Sequence, residues 1–152
     1  MKKVFIIFAA TLVASLLLLS ASSAQRKGMG QGGRGWGSGS SYARLYNSQT
    51  IEIISGVVES VGTFTPGKGM SHGVHAVLKT DKETIAVHLG PGWFIDNQDP
   101  EIGSGDRVEI MGSRVMFEGK PAIIAGRVTK DGATLTLRDA SGIPVWSGWR
   151  RR

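Results

Sequence analysis

From Ile51 onward the chain breaks into short apolar runs with two-residue periodicity, separated by turn residues. IEIISGVVESV (51–61) predicts a long first strand, with Gly56 and Gly62 as places for a bulge or sharp coil. TFTPGKGMSHG (63–73) predicts a loop. VHAVLKT (74–80) and TIAVHLG (84–90) predict a hairpin around Asp81-Lys82. GPGWFIDNQDPEIGSG (90–105) is a long connection with room for one helical turn. DRVEIMGSRVMF (106–117), PAIIAGRVTK (121–130) and ATLTLRD (133–139) predict three more strands, the last two joined by Asp131-Gly132, a strong type I′ turn signal. The expected fold is all-β: five or six antiparallel strands in an OB-like barrel, interrupted between the third and fourth. A small sandwich is the alternative.

The hairpin can be registered from its turn. Pairing Lys79 with Thr84 places Val77 against Ala86 and His75 against His88 on one face. The other face pairs Val74 with Leu89, Ala76 with Val87 and Leu78 with Ile85. It is uniformly apolar, so it is the core face. His75 and His88 are then expected on the outer face, with Cβ atoms roughly 5 Å apart. His72 precedes them closely, and all three histidines of the chain fall between positions 72 and 88. Three neutral imidazoles suit a divalent transition metal such as zinc, copper or iron, and Met70 offers a thioether for copper. The competing reading is a polar strand face that happens to carry two histidines.

The N-terminal third follows another pattern. Residues 1–24 combine Lys2-Lys3, an apolar run of about 16 residues and a small-residue SASSA ending. The run is slightly short for a spanning helix of ~20 residues. A cleaved signal peptide is expected, with a retained anchor as the alternative, and the protein is expected to be exported to the periplasm or beyond. Gly28 to Ser40 contains seven glycines and reads as part of a flexible basic linker over 25–48. The folded domain is then 49–149, followed by a basic tail at 150–152.

Net charge is +6, but it is unevenly placed. Residues 45–149 hold nine Lys/Arg against twelve Asp/Glu, so the excess of positive charge belongs to the two ends. That favours tails that touch a protein or an anionic envelope partner over a DNA-binding face, and nucleic acid is not the expected partner. Solubilising tails are the plainer explanation. With no cysteine, disulfides, lipidation at a thiol, thiolate metal sites and covalent c-type haem are all excluded. No nucleophile-elbow, P-loop, zinc-protease or dinucleotide motif is present, so no enzyme is expected. Trp93, Phe94, Trp146 and Trp149 are the candidate ligand or partner surface, as aromatics near a barrel mouth often are. Core packing is the alternative, and Trp93 and Phe94 suit a plug at one end.

Three motifs fall in order: HLGPGWF, GDRVEIMGSRVMFEGKPAIIAGRV and LTLRDASGIPVWSGW. Together they resemble small exported bacterial proteins with an OB-like domain, often labelled "DNA-binding". That domain is similar to the one in the magnetosome-associated S and X proteins, and the resemblance spans roughly residues 50–149. X-type relatives carry CxxCH haem motifs, which this cysteine-free chain lacks. The resemblance therefore implies a haem-free, S-like accessory role, with metal handling as one form of it. The expected function is a non-enzymatic exported binding or assembly module, with metal handling through His72, His75 and His88 as the alternative.

Overall fold

A computed structural model describes residues 35–147. The expected signal segment, Trp149 and the terminal arginines lie outside them. Six strands form one sheet: β1 (Ile51–Phe64), β2 (Gly73–Lys79), β3 (Thr84–Pro91), β4 (Arg107–Phe117), β5 (Lys120–Lys130) and β6 (Ala133–Thr136). A single helical turn, α1 (Gly92–Ile95), opens the long connection between β3 and β4. The order is β3-β2-β1-β4-β5-β6, and β3 also pairs with β5. That last pairing closes a ring of hydrogen bonds through five strands, leaving β6 outside it. The all-β, OB-like expectation holds in this barrel-like form. One pairing departs from the antiparallel pattern: β3 and β5 run parallel, with Val87 opposite Ile123.

The hairpin register agrees with the turn-based reading at His75 and His88, Ala76 and Val87, and Leu78 and Ile85. It departs at one end. Val74 pairs with Gly90, not Leu89, because a bulge intervenes between Val74 and His75. Inward residues of every ring strand meet in the core, including Val58, Leu78, Val87, Ile110, Ile123 and Val128, each 0–2 % exposed. Asp131 and Gly132 have φ of 51° and 81°, as a type I′ turn requires, and Glu118-Gly119 joins β4 to β5 in the same way.

At Gly112 β4 leaves no room for a side chain against β5. A Cβ there would lie 2.4 Å from the Ile124 carbonyl oxygen and 2.7 Å from Ile123 Cγ2. Backbone cannot step aside as a side-chain end can. Gly112→Ala is therefore expected to cost about 1–3 kcal/mol, the usual range for overpacking. Urea denaturation beside Gly103→Ala, whose nearest neighbour would be Asp106 Oδ2 at 3.8 Å, checks this. Equal midpoints for the two variants would contradict it.

The largest departure from expectation lies before β1. The described part of the supposed linker, from Gly35 on, is not a free tether. It runs as a strap over the ring, with short 3-10 turns at Ala43–Leu45 and Ser48–Thr50. Trp36 is 2 % exposed and Tyr42 5 %. Trp36 Nε1 donates to the Ser71 carbonyl, and Trp146 Nε1 donates to the Trp36 carbonyl at 2.8 Å. Two aromatic side chains bury enough apolar area to order a stretch whose glycines and serines bury none.

Candidate functional site

Beneath the strap lies the outer face of β2 and β3, where the hairpin register sets His75 opposite His88. The strap seals part of this face. His88 is 4 % exposed, so the expectation that it lies open to solvent is wrong. Its ring lies 4.1 Å from Phe64, 4.9 Å from Phe117 and 6.0 Å from Tyr42, centroid to centroid. Tyr42 Oη and His88 Nδ1 form a 2.9 Å hydrogen bond. Loss of water drives the His88 pKa down to about 4, and nearby His75 adds to the effect. Burial likewise raises the Tyr42 phenol well above its usual value. Both partners are neutral near pH 7, so this is a hydrogen bond between uncharged groups.

His75 shares Phe64 with His88, at a ring distance of 5.7 Å. His72 does not join them. Its backbone carbonyl accepts from the Gly92 N–H at 3.0 Å, and its ring rests where a Gly92 Cβ would stand. It is exposed and tied to the corner where β3 enters α1. Among the described residues no three His, Cys, Asp or Glu side chains converge closely enough to hold an ion. Met70 is turned elsewhere too, packing where a Cβ on Gly35 would be.

The aromatics expected at a partner surface separate in the same way. Phe94 and Trp146 are 5 % and 3 % exposed and pack on each other at 5.1 Å. Trp146 also fills the space beside Gly90, whose φ of 155° and lack of a Cβ let the indole come close. Trp93 is half-buried and meets Phe94 edge-on. The core-packing reading therefore holds for Phe94 and Trp146, and Trp149 is outside the described residues.

At the hairpin end, the Arg114 guanidinium joins Glu52 of β1 to Glu83 of the β2–β3 turn. Its hydrogen bonds hold both carboxyls below their usual range. This junction clamps the mouth of the ring beside the β2–β3 turn.

Sequence reasoning missed Tyr42 and Arg138. Arg138 follows β6 and is 4 % exposed, against the rings of Tyr46 and Trp146. Arg138 lies within the LTLRDASGIPVWSGW motif but was not singled out there, and no motif marked Tyr42.

A family model described as the MamS/MamX magnetosome protein family matches residues 50–135. The chain belongs to that family. The MamS/MamX match spans nearly all six strands, from just before β1 into β6. It includes His72, His75, His88, Phe64 and Phe117. It leaves out the strap with Trp36 and Tyr42, and the segment after β6 with Arg138 and Trp146. No curated protein matches the chain.

Proposed function

We propose that this MamS/MamX family member is a non-enzymatic, exported accessory module that docks a protein or anionic envelope partner at the magnetosome. The observation that carries this reading is the division of charge. The residues from 45 to 149 are net acidic, while Arg26, Lys27, Arg34 and Arg44 precede them and Arg150, Arg151 and Arg152 follow. Basic ends on an acidic body attract an anionic partner without requiring a pocket. The strap supports the reading from another side. The face of β2 and β3 that OB-like folds offer to oligomers is partly covered by Tyr42, which argues against nucleic-acid binding there.

The test must respect the strap, so the deletion ends before Gly35. A chain lacking residues 25–34 and carrying Arg150→Ala, Arg151→Ala and Arg152→Ala should lose most binding to vesicles with anionic headgroups or to an acidic partner. The intact protein's binding should weaken steeply between low and physiological salt. Salt-independent binding, or full binding by the truncated chain, would sink the proposal.

Metal handling is the second reading, supported by the direct opposition of His75 and His88. It requires Tyr42 to release His88 Nδ1, or an ion held through the remaining ring nitrogens. A thermal shift with Cu²⁺, Zn²⁺ or Fe²⁺ that vanishes in His75→Ala would support it. Identical shifts in both proteins would remove it.

A further inference from the structure

Three of the six exposed large apolar side chains among the described residues lie at one corner: Leu45, Ile143 and Val145. Apolar residues exposed singly need no explanation, but a group held outward does. The Tyr46 ring rests where a Cβ on Gly142 would stand. Leu45 and Ile143 are the chain neighbours of that contact, so the strap's first turn and the segment after β6 present them together. Ile143 and Val145 cannot fold inward. From Ile143 to Trp146 the chain alternates, and Pro144 and Trp146 already fill the inward positions. The backbone is pinned as well: the Val145 N–H donates to the Leu137 carbonyl, and the Ile143 N–H to Asp139 Oδ1, each at 3.0 Å.

Charge around this corner is positive. Arg44, beside Leu45, is exposed. Arg138 lies against the Tyr46 and Trp146 rings and takes part in no ion pair among the described residues. The one acidic residue from 138 to 147 is Asp139, and its carboxylate is engaged by the Ser141 and Ile143 N–H groups. Arg150, Arg151 and Arg152 follow Val145 in the sequence, and five residues of chain keep Arg150 within about 18 Å of it. Apolar tips set among basic residues suit an anionic bilayer. The cations are drawn to the headgroups, and the tips enter the boundary with the acyl chains. A bilayer also asks for no matching shape, which separate tips on turns do not supply.

The geometry points to Leu45, Ile143 and Val145 as a shallow insertion patch for a bilayer rich in anionic lipid. This rests on the docking reading above and narrows its partner to a lipid surface. All three residues lie outside the stretch matched by the family model, so the patch belongs to the strap and to the segment after β6.

The chain has no cysteine, so one introduced thiol can carry a polarity-sensitive dye. Val145→Cys is labelled in residues 25–152, which keep every described residue and omit the apolar N-terminal run. With vesicles of equal parts phosphatidylglycerol and phosphatidylcholine the dye emission should shift to the blue, and phosphatidylcholine alone should leave it unchanged. The same dye at Val61→Cys, exposed on β1 opposite Ala76 of β2, should not respond. In unlabelled protein, Leu45→Ser, Ile143→Ser and Val145→Ser together keep the net charge yet should weaken vesicle binding about tenfold. If that variant fails to fold, the two labelled chains still decide the question. Equal vesicle binding by the triple variant would overturn the patch, as would equal shifts at both labels. Salt-sensitive binding to soluble polyglutamate with no vesicle binding would overturn it too, and would leave the docking reading standing. Binding to neither would remove both.

Discussion

Trp36→Ala is expected to lower the unfolding free energy by about 3–5 kcal/mol, the cost of emptying a buried aromatic site. The loss exceeds that of an ordinary surface tryptophan because three contacts go together. The indole packs edge-on against Tyr42, Phe64 and Trp146, with ring centres 5.3, 6.2 and 6.3 Å away. Its Nε1 also anchors the β1–β2 loop at Ser71. Freed at Trp36, the strap should fray towards Tyr42, and amide exchange from residue 37 to 46 should quicken well before the ring strands respond. Urea denaturation with tryptophan fluorescence measures the first effect and hydrogen exchange the second. A loss below about 1 kcal/mol would mean that the strap contributes nothing to the fold.

The second large effect is acid lability through His88. Its folded pKa is about 4 against 6.5 for a free imidazole. The unfolded chain therefore binds a proton in the intervening window that the folded chain refuses. Stability is fully present above about pH 6.5 and falls as the pH drops towards 4, by about 3 kcal/mol in all. The groups facing His88 are Tyr42, Phe64, Phe117 and His75, and none is a carboxylate. The depressed carboxyls of Glu52, Glu83 and Asp106 act in a lower range, since their contribution fades only as pH falls below their ordinary values. Between pH 6.5 and 5 the slope should belong chiefly to His88. His88→Gln should flatten it, and Trp36→Ala should reduce it by readmitting water. A wild-type protein equally stable at pH 7 and 4.5 would contradict the buried, uncharged imidazole.

These expectations mark the limit of what could be read from the residues alone. The β2–β3 hairpin was legible because alternation and a tight turn are local. Leu78 with Ile85 and His75 with His88 follow once the turn is placed. The Asp131-Gly132 turn was legible for the same reason. The parallel pairing of β3 with β5 was not, because it joins segments more than thirty positions apart with no local signature. His88 shows the failure most clearly. Its outward direction was inferred correctly, but whether outward means wet depended on Tyr42, 46 positions away. The strap was overlooked because glycine and serine dominate its composition. Trp36, Tyr42 and Tyr46, three aromatics in a run rich in glycine and serine, were the available signal.

The anchor at Trp36 also sets a leash. If the 24 residues from 25 to 48 were all free, anything held near residue 25 could range about 80 Å from β1, at ~3.5 Å per extended residue. With the chain pinned beside Ser71 by the Trp36 indole, the same point stays within about 35–40 Å of that corner. A partner gripping the basic stretch at Arg26 and Lys27 would therefore be kept within that reach of the Met70–Ser71 corner.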